Sequence, residues 1–272
     1  MKSKFLRMAG VGLIFGLIAV CVTLNSCSRS SSKTITLAGS TAFQPFAEKL
    51  AERYLIINKG VQINVQGGGS AVGIQSALSQ TADIGMADML KLPDEAKELA
   101  QTIVAKDGIA IVVNPANSVN SVSSQQAKDI FSGKVSNWKD LGGKDVPIRV
   151  ISREEGSGTK KSFDKLVLGD EKLTSNALFQ NSNGTCREAV ANDSSAIGYV
   201  SIGLVNGKVK ALAYNGVKPV NADVKNNTYP LARPIFFLTK GEPKEYVKHF
   251  IDYVLSNEGQ ELLEKEGLIA AR

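Results

Sequence analysis

Three short stretches of this 272-residue sequence set glycine beside serine or threonine just ahead of a helical pattern. They are Gly39-Ser40-Thr41, Gly67-Gly68-Gly69-Ser70 and Arg153-Glu154-Glu155-Gly156-Ser157-Gly158-Thr159. The chemistry open to such turns is anion capture. The first turn of a helix leaves N–H groups without partners inside the helix and carries the positive end of the macrodipole. Glycine lets the backbone approach a ligand closely, and serine or threonine hydroxyls add donors. The same residues also cap helices and turn chains, and for one turn alone that reading is the stronger. Three turns of one composition, one with an added arginine, favour an anion site. Arg153 offers a planar fork that suits two oxygens of an oxyanion; its alternative use is a surface salt bridge with Glu154 or Glu155.

Other site chemistries find little material. His249 is the only histidine; it lies where Val247, Phe250, Ile251 and Val254 make the apolar stripe, which turns it toward solvent with Glu245 and Lys248. Of the three cysteines, Cys21 lies in an apolar leader, Cys27 follows it, and Cys186 stands alone as a small buried apolar residue. Neither a zinc site nor a Ser-His triad can be assembled from this set, and no metal or cofactor is expected. Ser157-Gly158-Thr159-Lys160 fits the Ser-x-x-Lys pattern of penicillin-recognising acylases, but no Ser-Asp-Asn or Lys-Thr-Gly accompanies it. The chain is therefore read as a binding protein and not an enzyme.

The elements that must position the three turns alternate strand and helix. Thr34–Leu37 precedes the first turn, and a helix with Phe46, Leu50 and Tyr54 follows it. Val61–Val65 precedes the second, followed by a helix carrying Ile74, Ala77 and Leu78. Pro147–Ile151 precedes the third, followed by a helix with Phe163, Leu166 and Val167. This alternation predicts an α/β fold with mostly parallel sheets. A further strand, Ile109–Val113, closes at Asn114-Pro115, where a second lobe begins. Strand Pro234–Leu238 and two helical runs return to the first lobe. The expected organisation is lobe I at residues 34–113 and 225–272 and lobe II at 114–224, with a ligand cleft between them.

The beginning of the chain reads as an export signal. Lys2, Lys4 and Arg7 precede an uncharged run from Met8 to Val22, too short for a comfortable membrane span of about 20 residues. Leu24-Asn25-Ser26-Cys27 resembles a bacterial lipobox, with Asn25 a departure from the usual small residue. Residues 1–26 are thus the expected signal peptide, Cys27 the lipidated residue, and 27–33 a serine-rich tether. The chain beyond the signal holds 29 Lys and Arg against 26 Asp and Glu, a formal charge of +3. That mild balance, without a basic stripe interleaved with aromatics, argues against nucleic acid as a partner.

The three turns, together with Asp83-Ile84-Gly85-Met86-Ala87-Asp88, Ile130-Phe131-Ser132-Gly133-Lys134, Asn137-Trp138 and Ala196-Ile197-Gly198-Tyr199, resemble the phosphate-binding proteins of bacterial ABC-type phosphate importers. The similarity covers nearly all of the chain after the signal, in order, and Arg-x-x-Gly-Ser-Gly-Thr is its most specific element. It implies a two-lobed periplasmic-binding-protein-like fold of type II and high-affinity capture of inorganic phosphate. It also implies delivery to an ABC permease and its ATPase, and a monomer held at the outer face of the cell membrane. The ligand set that the resemblance implies is Ser40, Thr41, Ala42, Ser70, Asp88, Arg153, Ser157, Gly158 and Thr159. Relatives often carry an aromatic residue in place of Ala42, which leaves an amide contact intact. Asp88 matches the single acidic ligand. An ionised carboxylate only accepts hydrogen bonds, so it suits phosphate, which keeps a proton near neutral pH, and penalises sulfate, which does not. Without the motif, Asp88 reads equally well as a solvent-facing turn residue. Another tetrahedral oxyanion as ligand, or a surface adhesin or sensor on the same fold, are the alternatives.

Overall fold

The computed structural model describes residues 33–271. The leader, Cys27 and the tether up to Ser32 lie outside the described residues. Strand β1 (Lys33–Gly39) runs into α1 (Gln44–Ile57), which carries a proline in its first turn and buries Phe46, Ala47, Leu50, Ala51 and Tyr54. Those spacings give one apolar face to set against a sheet. β2 (Val61–Gln66) alternates half-buried Val61, Ile63 and Val65 with exposed Gln62, Asn64 and Gln66, as a strand with one covered face should. After it come α2 (Ser70–Leu78) and β3 (Ile84–Asp88), the latter buried throughout.

Two glycines bring the second turn to its place. A Cβ on Gly39, where φ is +132°, would stand 2.2 Å from the carbonyl oxygen of Met86, and one on Gly73 2.4 Å from the same atom. Only glycine permits that approach. It draws the start of α2 onto the ends of β1 and β3, and so carries Ser70 to Asp88.

β4 (Ala100–Val113) is followed by β5 (Ser121–Val122) and α3 (Ser124–Ser132), which opens with a capping box between Ser123 and Gln126. β6 (Arg149–Arg153) leads through the third turn into α4 (Gly158–Phe163), and β7 (Leu178–Gln180) into α5 (Asn183–Ala191). Then come β8 (Ala196–Ser201), β9 (Lys210–Ala211), β10 (Ala213–Tyr214) and α6 (Asn221–Lys225). β11 (Ala232–Thr239), α7 (Glu245–Leu255), α8 (Asn257–Lys265) and β12 (Ile269–Ala270) complete the chain. No helix among the described residues is long and apolar enough to cross a membrane.

The principal strands hydrogen-bond in the order β2-β1-β3-β11-β4-β8-β6-β7. Pairing is parallel at both outer parts, where strand–helix–strand units supply the neighbours. At the centre it is antiparallel: β11 against β3 and β4, and β4 against β8. The expectation of mostly parallel sheets fails there because β4 and β11 are passages between two halves and not members of a crossover unit. Two cores flank this passage. Ile35, Leu37, Phe46, Met86, Phe237 and Phe250 belong to one; Phe131, Trp138, Phe163 and Tyr199 belong to the other, with the rings of Phe163 and Tyr199 stacked at 4.0 Å. β4 serves both. Val104 and Ala105 pack in the first core, while Ile109, Ile111 and Val113 pack in the second. The change of core falls across Lys106-Asp107-Gly108. The result is the two-lobed α/β architecture.

His249 is exposed on α7 while Val247, Phe250, Ile251 and Val254 are buried, as the stripe predicts. Cys186 is a free, buried thiol; burial pushes its pKa up to about 11, which leaves it inert at neutral pH.

Candidate functional site

The three turns meet on one carboxylate. Ser40, at the end of β1, donates its hydroxyl to Asp88 Oδ1 at 2.6 Å, and Ser70, at the start of α2, donates to the same oxygen at 2.9 Å. Thr159, in the first turn of α4, donates to Asp88 Oδ2 at 2.7 Å from the other lobe. The hydroxyl oxygens are used as well: Ser40 accepts from the Phe43 N–H and Ser70 from the Asp88 N–H. Asp88 is buried, which excludes its alternative reading as a solvent-facing turn residue.

The fit between lobes is close at Gly158, where a Cβ would stand 2.2 Å from Ser70 Oγ and 2.6 Å from the Asp88 carbonyl oxygen. A side chain there would push the third turn away from the first two. The Ala71 N–H donates across the lobes to the Gly156 carbonyl at 3.0 Å.

Asp88 has one more partner, which sequence reasoning missed. Arg233, on β11, donates from Nε at 3.1 Å and from Nη2 at 2.9 Å to Asp88 Oδ2. Its Nη1 donates to the Gly108 carbonyl at 3.1 Å and lies 3.0 Å from Asp107 Oδ2 on β4. Burial alone pushes the Asp88 carboxyl up. The charge of Arg233 and the hydrogen bonds from Ser40, Thr159 and Arg233 outweigh it, and the carboxyl is held below the usual aspartate value. Asp107 goes the other way: burial outweighs Arg233 and pushes it up to about 6.

Arg153, at the end of β6, is the second buried arginine. Its Nε donates to Glu154 Oε2 and to the Gln180 carbonyl, both at 3.1 Å. Its Nη2 donates to Glu154 Oε1 at 2.9 Å and to Thr41 Oγ1 at 3.2 Å, joining the third turn to the first. The pairing with Glu154 weighed from the sequence does form, but around an arginine only 1 % exposed and therefore not as a surface bridge. Nη1 of Arg153 is buried without a hydrogen-bond partner.

Several other donors stand uncommitted among the described residues. Thr41 Oγ1 accepts from Arg153 and, at 3.4 Å, from the Asn183 N–H, and its own proton is free. Ser157 Oγ accepts from the Lys160 N–H at 3.1 Å as the cap of α4, again with its proton free. The N–H groups of Ala42, Gly158 and Thr159 have no acceptor among the described residues. Buried donors without acceptors are costly and rare. A set of them at two helix starts, beside a buried guanidinium, suits an oxyanion.

Asn183, the first residue of α5 and buried, also escaped the sequence reading. Its Nδ2 donates to Thr159 Oγ1 at 3.3 Å and its Oδ1 accepts from the Ser201 N–H at 3.0 Å, so it ties the third turn to β8. Arg233 and Asp107 each lie just before an apolar run, Pro234–Leu238 and Ile109–Val113, where a charge reads as a strand end. Nothing in the composition around Asn183 marks it.

The acylase pattern is not assembled. The Lys160 ammonium lies 2.7 Å from Asp164 Oδ2 and 3.1 Å from Glu155 Oε1. Burial lowers its pKa, but those carboxylates outweigh burial and hold it protonated, the wrong state for a general base.

Residues 26–258 match the model of the PBP superfamily domain. Phosphate-binding protein PstS of Bacillus subtilis is 33% identical over 95% of this chain and 91% of its own length. Among solved structures, a Clostridium perfringens protein described as a phosphate ABC transporter substrate-binding protein, with bound phosphate, superposes with a TM-score of 0.85. It is 36% identical, over 88% of this chain and all of that one. An ABC-type phosphate transport receptor from Vibrio cholerae gives 0.72 at 34% identity, over 86% of this chain and 99% of its own.

Proposed function

The chain belongs to the PBP superfamily and, within it, to the family of the phosphate-binding protein PstS, and from that premise we propose that it captures inorganic phosphate with high affinity outside the cytoplasm. It hands the anion to an ABC-type permease with its ATPase. The observation that carries the reading is the convergence of three turns from two lobes on Asp88, beside a buried Arg153 whose Nη1 has no acceptor.

The ligands are Thr41, Ser70, Arg153, Ser157 and Thr159 through their side chains and Ala42 and Gly158 through their amides. Ser40 acts chiefly by holding Asp88. Hydroxyl protons turn freely about the C–O bond, so those of Ser70 and Thr159 can pass from Asp88 to anion oxygens. The carboxylate then accepts the proton that phosphate carries near neutral pH. Sulfate brings no such proton and meets Asp88 acceptor against acceptor. The lobes are residues 34–113 with 225–272, and residues 114–224, with positions 109–113 reaching into the core of the second. A ligand gripped from both lobes favours the closed arrangement by its differential affinity for it.

The protein works as a monomer and not as an enzyme, with residues 1–26 removed on export and a lipid on Cys27 holding it at the membrane. Cys27→Ala should release it to the soluble fraction; retention at the membrane would contradict the anchor. The binding function is tested by calorimetric titration of residues 28–272, freed of anion. One-to-one phosphate binding with little response to sulfate is expected. A folded protein that binds neither anion would overturn the ligand assignment.

A further inference from the structure

Arg233 touches none of the three turns' backbone and was not among the residues that the sequence marked, yet it is the most completely engaged charge in the site. Nε and Nη2 fork onto Asp88 Oδ2, and Nη2 reaches Thr159 Oγ1 at 3.4 Å. Nη1 takes the Gly108 carbonyl and lies 3.0 Å from Asp107. The strand register explains the reach. β11 runs between β3, which ends in Asp88, and β4, where Asp107 is the cross-strand partner of Arg233. A single guanidinium thus links the carboxylate at the anion site to the strand segment at which the chain changes lobes.

We propose that Arg233 is a specificity-determining positioning residue: by forking onto one oxygen of Asp88 it keeps that carboxylate charged and turned so that it can only accept, and it thereby enforces rejection of fully deprotonated oxyanions. This rests on the reading that Asp88 meets the bound anion. The geometry divides the carboxylate into two sides. Oδ2 is held by the fork, with Thr159 beside it until the anion draws its proton away, while Oδ1 meets only the hydroxyls of Ser40 and Ser70, of which the Ser70 proton can turn away. A carboxylate has about four lone-pair sites, so fixing those on Oδ2 leaves Oδ1 as the side that a P–OH group can address.

The groups around the pair are few. Ser40 approaches Asp88 from β1, Ser70 from α2 and Thr159 from α4. Arg233 is its charged neighbour from β11, and Asp107 stands behind the guanidinium on β4. Asp107 is in turn faced by Arg233, by Ser201 of β8 and by the Gly108 backbone. With Arg233 removed, nothing positive in direct contact offsets the burial of Asp88, and its pKa must rise. A protonated Asp88 is a donor. It would welcome a sulfate oxygen, and selectivity would become a function of pH.

The test compares phosphate and sulfate titrations of the wild type and Arg233→Met from about pH 5 to about pH 8, a window into which a buried, unpaired carboxyl can titrate. The wild type should reject sulfate throughout. In Arg233→Met, sulfate binding should emerge as pH falls, with the phosphate-over-sulfate preference reduced roughly tenfold or more at the acid end. A loss of packing alone would weaken both anions together without this pH profile. If Arg233→Met does not fold, Arg233→Gln removes the charge but keeps a polar side chain, and sulfate binding should again emerge as pH falls. A folded Arg233 variant that rejects sulfate at every pH overturns the proposal. Asp88→Asn serves as the control. If it too leaves rejection intact, the failed premise is the Asp88 contact; if it abolishes rejection while the Arg233 variants do not, the role of Arg233 alone is refuted.

Discussion

Two buried arginines stand in the site, and they differ in what remains of them. Arg233 has each nitrogen engaged by a carboxylate, a carbonyl or a hydroxyl. Arg153 keeps Nη1 without a partner although the residue is almost wholly enclosed. A guanidinium whose donors are all taken organises its neighbours; one with a donor left over is built to take something in. One site therefore holds a structural charge, which fixes Asp88, and a charge with a spare donor, which reaches across to Thr41 and is the one we propose as ligand-directed. The sign of the charge does not separate these roles, and only the accounting of each N–H does.

The contrast is broken most directly at Arg153. Truncating one partner of a buried charged contact costs about 2–5 kcal/mol, which at about 1.4 kcal/mol per decade weakens phosphate binding by roughly 30-fold to several thousand-fold in Arg153→Ala. Unchanged affinity in a variant with normal circular dichroism would remove Arg153 from the ligand set.

A smaller effect sharpens the description of the structural arginine through its second carboxylate. Asp107 is pushed up to about 6 by burial despite Arg233. Its folded value lies above that of an unfolded aspartate, so the stability it confers is complete below about pH 4 and is lost as pH rises through 6. The total change across that window is on the order of 2–3 kcal/mol. Denaturant unfolding of the wild type and Asp107→Asn across this range should show that component in the wild type and not in the variant. Parallel curves would mean that Asp107 does not change its protonation on folding in that window.

The ligand-directed half of the site was the more legible in the sequence. Glycine with serine or threonine ahead of a helix is a local pattern, and all three instances lie at strand–helix junctions in the structure. The close approach at Gly39 and Gly73 explains how two separate turns reach one point. Asp88 was legible through the surrounding motif alone, because its burial depends on α2 and α4 closing over it from different parts of the chain. The structural half was hidden for a related reason. The apolar runs Ile109–Val113 and Pro234–Leu238 read as strands, but β4 and β11 begin earlier, at Ala100 and Ala232. Asp107 and Arg233 fall just outside the apolar runs, where a charge reads as a strand end. Each is the other's cross-strand partner, and no local pattern reports a pairing between positions so far apart in the chain. Asn183 is hidden more deeply still, since its partners Thr159, Ser201 and Thr41 come from three separate segments.

The central claim is that Asp88 works as an acceptor for the proton of phosphate, and it is tested most directly by titrating Asp88→Asn with phosphate and sulfate at one neutral pH and fixed salt. An asparagine keeps the shape but adds an N–H donor. Sulfate should then bind measurably where the wild type rejects it, and the preference for phosphate should shrink by roughly tenfold or more. A folded Asp88→Asn protein that discriminates as sharply as the wild type would contradict the account.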